Sequence, residues 1–309
     1  MTTFRPRTTN VSRVSLIGFP CSVGSYAAGQ DLAPAALRSS GLVRTLTQMG
    51  VEVRDHGDTP AQVWRPDRES PRAQNVGEVV AGLELLIERI DPILASGDTM
   101  LVVAGNCLIA LAVMVGLRRL GAGTPGLLYV DRHYDMNTPQ STNDGALDWM
   151  GLAHGLALPG AVDAIVAALG DPPLLQPFQV GWLGIDEELA TQWERDQAAR
   201  LGLSCRTSAD LVADPTGAAR ALVQQLPGGP LAVHLDVDVL DFTDAPLAEN
   251  TDGRNRGPTL DKVVAALSVA ARDPRFRVFS VGELNPTRSV GEPEALRMFC
   301  SAVAAVLSS

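Results

Sequence analysis

Leu127-Leu128-Tyr129-Val130-Asp131-Arg132-His133-Tyr134-Asp135 is an apolar run that passes into acid, histidine and acid at every second position. Side chains two apart in an extended chain share a face, so the run predicts a buried strand with Asp131, His133 and Asp135 lining one side of its carboxyl end. Leu231-Ala232-Val233-His234-Leu235-Asp236-Val237-Asp238 repeats the design, with Asp241 just beyond. By the same alternation His234 points with Asp236 and Asp238, as a residue orienting a ligand or as a core histidine. A single Asp at a strand end is commonly a turn former or a helix cap. Two such ends gather four or five carboxylates and an imidazole with no matching set of lysines. Those charges repel one another unless cations sit between them. Carboxylate and imidazole together are ligands for a divalent cation, so the pattern predicts a metal centre, with two ions as its fuller form.

Working outward, Val14 to Pro20 reads as a buried strand, followed by a Gly-rich loop through Gly24 and Gly29. Pro34 opens a helix over 35–49 that Gly50 ends, and 51–55 is another strand. Strand, helix, strand in that order begins a parallel sheet covered by helices. Apolar spacing predicts a helix over 76–94, a buried strand over 100–104, a tight turn at Gly105-Asn106-Cys107 and a helix over 109–120. Further helices are expected near 151–169, 187–202, 216–226, after Pro258 and from Glu292 onward. Strands are expected around 179–182 and over 277–281. The fold class that results is α/β: three α/β/α layers with a mainly parallel sheet, residues 13–309 as a single domain and residues 1–12 as a loose polar tail. Ligands in such sheets sit at the carboxyl ends of the strands, so the polar loop 137–151 is the expected substrate wall.

The chain of 309 residues carries a net charge of -10 and a pI near 4.9. Nucleic acid and anionic membranes would be repelled by such a surface, which suits a small, cationic substrate better. Lys262 is the only lysine, which excludes Schiff-base and P-loop chemistry over most of the chain. Cys21, Cys107, Cys205 and Cys300 are scattered without a CxxC pair, and the N-terminus shows no signal peptide or long apolar span. Reduced thiols and a cytoplasmic location are expected.

Three motifs in order resemble those of the arginase and agmatinase (ureohydrolase) family from about residue 13 to the end. Asp131-Arg132-His133-Tyr134-Asp135-Met136-Asn137-Thr138-Pro139 is similar to the family's D-A-H-x-D-x-N-T-P. Asp236-Val237-Asp238-Val239-Leu240-Asp241 is similar to its D-x-D-x-x-D, and Glu283-Leu284-Asn285-Pro286 to its E-x-N-P. The resemblance implies hydrolysis of a guanidino group to urea and an amine by two Mn2+ ions bridged by hydroxide. Asp131 and Asp236 would bridge the ions, while His133, Asp135 and Asp238 bind one or the other. Asp135 would also take a proton from the bridging water, and Glu283 would face the guanidinium. Asn137 of the first motif and Asp186, which matches an acid gripping the substrate amine, are the further substrate contacts implied. The resemblance also implies a homo-oligomer, a trimer or hexamer.

The departures are equally informative. Where the family has G-G-D-H, with histidine as a metal ligand, this chain has Ala104-Gly105-Asn106-Cys107. Cys107 is either a ligand softer than imidazole, favouring zinc or iron over manganese, or a small buried thiol beside a weakened site. The family's S-G-N-x-H-G stands here as Asp144-Gly145-Ala146-Leu147-Asp148-Trp149. Asp148 replaces a proton-shuttling histidine and serves either as a proton carrier or as a helix N-cap. Asp144 would repel a substrate carboxylate, so a guanidino compound with a neutral or cationic tail is expected rather than arginine. The functional expectation is a binuclear-metal amidinohydrolase. Its alternatives are a non-catalytic relative with an incomplete metal site, and a hydrolase of formimino substrates.

Overall fold

The computed structural model describes Val11, residues 13–251 and residues 255–309. Of the expected tail over 1–12, only Val11 falls among them, and it is buried. Eight strands form one sheet: β1 (Arg13–Phe19), β2 (Glu52–Asp58), β3 (Thr99–Ala104), β4 (Gly126–Val130), β5 (Val180–Ile185), β6 (Ser204–Thr207), β7 (Leu231–Asp236) and β8 (Phe276–Gly282). Their order is β2-β1-β3-β8-β7-β4-β5-β6, and every pairing is parallel. The sheet is thus wholly parallel where a mainly parallel one is expected. β3, β4, β5, β7 and β8 are buried at every position, as a parallel sheet covered on both faces requires. The edges are different in kind. β2 is charged and largely exposed, and β6 is short and polar, which blunts pairing with another chain.

Helices complete the three layers. α3 (Val76–Ser96), α4 (Ile109–Arg119), α5 (Gly151–Gly155), α6 (Asp163–Ala168) and α7 (Gln192–Leu201) cover one face. α1 (Ala33–Ser39), α2 (Leu42–Gln48), α8 (Ser208–Ala213), α9 (Pro215–Val223), α10 (Leu260–Ala271) and α11 (Pro293–Leu307) cover the other. Side-chain alternation feeds both cores: Leu127 and Tyr129 of β4 enter the first, Leu128 and Val130 the second.

Two expected helices are broken. The helix over 35–49 divides at Gly41, whose φ of 98° no helix accommodates. The segment 151–169 divides into α5 and α6 across Pro159-Gly160; the helix expected near 216–226 stands unbroken as α9, with the unanticipated α8 before it. The helix expected from 187 begins at Gln192, because Thr191 and Glu194 form a capping box there. The topology then places the carboxyl ends of β3, β8, β7 and β4 side by side in the middle of the sheet. Each leads directly into a site residue: Cys107, Glu283, Asp236 and Asp131 respectively.

Candidate metal centre and acidic cavity

Neither acidic run continues as a strand. β4 stops at Val130, and the Asp131 carboxylate Oδ1 accepts the His133 N–H at 2.6 Å. β7 stops at Asp236, whose Oδ1 accepts the Asp238 N–H at 2.7 Å. Both ends are Asx turns, so the acids converge by turning the chain rather than by alternating along a strand. Asp135 and Glu283 have φ of 53° and 61°, a left-handed conformation costing a non-glycine residue on the order of 1–3 kcal/mol. That strain falls on two of the expected site residues.

Three donor sets lie within ligating distance of one another: Asp131 with His133 and Asp238, Cys107 with Asp131 and Asp135, and Cys107 with Asp236 and Glu283. His133 Nδ1 lies 3.1 Å from Asp238 Oδ2 and 3.4 Å from Asp131 Oδ1. Burial disfavours the imidazolium, but Asp238 and Asp131 outweigh it and raise the His133 pKa well above its usual value. Burial and neighbouring carboxylates raise Asp131, Asp135, Asp236 and Glu283. Asp131 Oδ2 and Asp238 Oδ1 are buried without a hydrogen-bond partner among the described residues, although the Arg132 Nε stands 3.9 Å from the latter. Two carboxylates and an imidazole with donor atoms this close are ligands a hard divalent cation takes, so the Asp131-His133-Asp238 set fits one.

The Cys107 set is different. Cys107 Sγ lies 3.1 Å from Asp236 Oδ2 and 3.0 Å from His234 Nε2. Burial, then the anionic neighbours, raise the thiol well above its ordinary pKa. His234, lowered to about 3 by burial, is a neutral imidazole stacked on Tyr129 at 4.9 Å and bonded through Nδ1 to Ser280 Oγ at 3.0 Å. The donors gathered here are sulfur and nitrogen as well as oxygen, so the two halves of the cluster are not equivalent.

A cavity of about 520 Å³ opens above the cluster, with Cys107, His133, Asp135, Asp236, Asp238 and Glu283 among its walls. The loop 137–151 supplies Asp144 and Asp148, held in place where the Leu147 and Asp148 N–H groups donate to Gly24 O at 2.7 and 3.0 Å. Asp148 opens a 3-10 turn, and burial, more than its acidic neighbour Asp144, raises its carboxyl to about 7. Asp144 Oδ1 accepts from the Ala146 N–H at 2.8 Å and the Trp149 indole at 3.2 Å.

The other sequence candidates lie elsewhere. Asn137 is buried outside the cavity wall, its Oδ1 accepting from Ser141 and Thr191 hydroxyls at 3.0 and 2.9 Å. Asp186 pairs with Arg256 at 3.3 Å, and Asp241 accepts from Thr243 in its own turn. His154, on α5 beyond the loop 137–151 and not one of those candidates, is buried and bonded to Met150 O at 2.6 Å. Sequence reasoning passed over Gln30, whose amide donates to Glu283 Oε2, and Tyr129, whose hydroxyl donates to Asp135 Oδ2. It also passed over Glu249, on the cavity wall, which accepts from Arg288 at 2.7 Å and from Asn285. Tyr129, two residues before Asp131, was within reach of the alternation argument; Gln30 and Glu249 leave no local signal.

The model of the arginase family matches residues 12–308. Over 237 residues the chain is 27% identical to an arginase of Bacillus subtilis, covering 75% of this chain and 77% of that one. It is 30% identical to human Arginase-1 over 134 residues, 43% of this chain and 41% of that one. Among solved structures, arginase from Bacillus caldovelox superimposes with a TM-score of 0.84 at 22% identity, covering 96% of this chain and 99% of that one. A formiminoglutamase of Trypanosoma cruzi superimposes with a TM-score of 0.71 at 18% identity, covering 96% and 92%. At these identities the superpositions show the shared fold.

Proposed function

Because the chain belongs to the arginase family, we propose that it keeps a pocket for a small amidine- or guanidine-bearing cation but not a matched pair of manganese sites. One hard cation would be held by Asp131, His133 and Asp238. The observation that carries this reading is the Cys107 thiol, set between His234 and Asp236 where the resemblance implies an imidazole ligand. That substitution favours the incomplete-site alternative over a binuclear manganese hydrolase. A bound divalent cation supplies Lewis-acid polarisation and a water of lowered pKa.

The chain's own residues would do the rest. Glu283 is oriented by the Cys107 N–H on Oε1, at 3.2 Å, and by Gln30 on Oε2, and its remaining lone pairs suit parallel N–H donors. Asp135, with Oδ2 occupied by Tyr129, keeps Oδ1 for ligand or proton. Asp148, near 7, exchanges a proton at neutral pH. Asp144 disfavours a carboxylate tail, so agmatine-like cations fit better than arginine.

The test uses the full chain, stripped of metal and reloaded with manganese alone. Calorimetry should show saturable binding of agmatine and weaker binding of arginine. Elemental analysis should give about one manganese per chain, the single complete site of hard donors. Urea release from arginine, agmatine, guanidinobutyrate and hydroxyarginine should stay at the level of the Asp135→Asn control, with a formimino compound assayed in parallel. Cys107→His should admit a second manganese. Two manganese ions on the unaltered chain together with urea release would establish the binuclear hydrolase and overturn this proposal.

A further inference from the structure

We infer that Arg132 is a built-in counter-cation for Asp238, and that its fixed charge makes the hard-donor site bind a divalent ion weakly and release it readily. The inference rests on the reading of Asp131, His133 and Asp238 as that site, and concerns what sets its affinity. Geometry carries it. The Arg132 and Asp238 side chains are 4% and 2% exposed, and the Arg132 Nε stands 3.9 Å from Asp238 Oδ1. The other carboxylate oxygen, Oδ2, faces His133 Nδ1 at 3.1 Å, on the side of the remaining ligands. Asp238 lines the cavity, and Arg132 is not among its walls. One carboxylate thus lies between a ligand set in front and a guanidinium behind. Alanine holds this position in the D-A-H motif that the chain resembles, so the charge is a feature of this sequence.

The fold enforces the placement of Arg132. It stands inside the Asx turn that ends β4, where Asp131 Oδ1 accepts the His133 N–H. Its carbonyl accepts the Asp186 N–H at 2.8 Å, and its Nη2 donates to Leu240 O at 3.1 Å, just past the turn that ends β7. Arg132 therefore reaches from one acidic turn to the other. A guanidinium does not give up its proton in a protein, so the positive charge is permanent. The electrostatics of the cluster carry its mark. Burial and neighbouring carboxylates raise Asp131, Asp135, Asp236 and Glu283, whereas at Asp238 burial is outweighed by His133 first and then by Arg132, and the carboxyl is lowered. The same guanidinium that steadies this carboxylate in the metal-free chain repels a divalent ion arriving at Oδ2, and water does little to screen charges so deeply buried. Metal binding at this site proceeds against Arg132.

Arg132→Gln keeps a donor for Leu240 O and removes the charge. Titrated with manganese alone, the full-length, metal-free variant should bind at least about tenfold more tightly than the unaltered chain, because a repulsion between buried charges is gone. Arg132→Lys, which keeps the charge, should stay close to the unaltered chain. A residue that merely braced the two turns would give the opposite sign, since loosened turns hold their ligands less well. The metal-free Arg132→Gln chain should also melt lower than the unaltered one, and saturating manganese should raise its melting temperature by more. A variant that folds only with manganese present supports the inference, because the ion replaces the missing charge. One that fails to fold even then assigns Arg132 to bracing and overturns it. Equal or weaker manganese binding by Arg132→Gln overturns the inference and leaves the hard-cation reading standing. Manganese on the variant but not on the unaltered chain supports the inference and refutes that reading for the native site; manganese on neither overturns both.

Discussion

Burial lifts the Asp148 carboxyl from 3.8 to about 7, so the folded chain holds a proton there over a range of pH in which the unfolded chain has lost it. The stability that this proton contributes is fully present below pH 3.8 and is lost as pH rises toward 7. Asp148→Asn has no proton to lose. Relative to the variant, the unaltered chain should lose up to about 1.4 kcal/mol per pH unit across that interval, then level off. Urea denaturation of metal-free protein at a series of pH values measures this, and parallel curves would refute it. Gln30 poses a different question, since its amide is a donor to the buried Glu283 Oε2. Gln30→Leu removes that donor and should cost about 1–3 kcal/mol, part of which a bound amidine restores. Agmatine should therefore raise the melting temperature of the variant more than that of the unaltered chain. At this scale the sequence was legible where chemistry is written as a motif: Asp131, His133, Asp236 and Asp238 all reach the cluster. It was illegible where contact crosses the fold, because nothing local joins Gln30 to Glu283 or Cys107 to His234.

The elements were legible in proportion to their burial. β3, β4, β7 and β8 are buried along their whole length because helices cover both faces, and their predominantly apolar runs are visible without neighbours. β6, with the sequence Ser-Cys-Arg-Thr on the sheet edge, has no such run and was not anticipated. The α1–α2 break depends on one left-handed residue, Gly41, inside an otherwise helical pattern. β5 shows how an element positions the site. Its register against β6 shifts between Leu183 and Ile185, and Gly184 there has φ of 110°. A Cβ at 184 would meet Val239 Cγ2 at 2.5 Å and the Asp131 carbonyl at 3.0 Å, touching both acidic turns at once. Gly184→Ala should destabilise the chain by about 1–3 kcal/mol and weaken manganese binding as well. Denaturation and calorimetry on one preparation test this; unchanged manganese affinity at reduced stability would confine Gly184 to folding.

For the molecule as a whole, the same strand order that builds the core concentrates negative charge at its centre. The carboxyl ends of β3, β8, β7 and β4 adjoin, and the cluster they carry is raised in pKa by burial and mutual repulsion. The metal-free fold is held at a cost that protons offset at low pH and divalent cations offset when bound. A cation that binds only the folded chain, at a hundred times its dissociation constant, adds about 2.7 kcal/mol per site. For a chain of this size that is a rise in melting temperature of about 4 °C. Protons and cations compete for the same oxygens, so the rise should be larger at mildly alkaline than at mildly acid pH. Manganese should produce an increment through Asp131, His133 and Asp238. Scanning calorimetry with and without manganese at two pH values measures the increment. No rise with manganese would show that the carboxylates tolerate one another without it, and would remove the basis for a manganese centre in this fold.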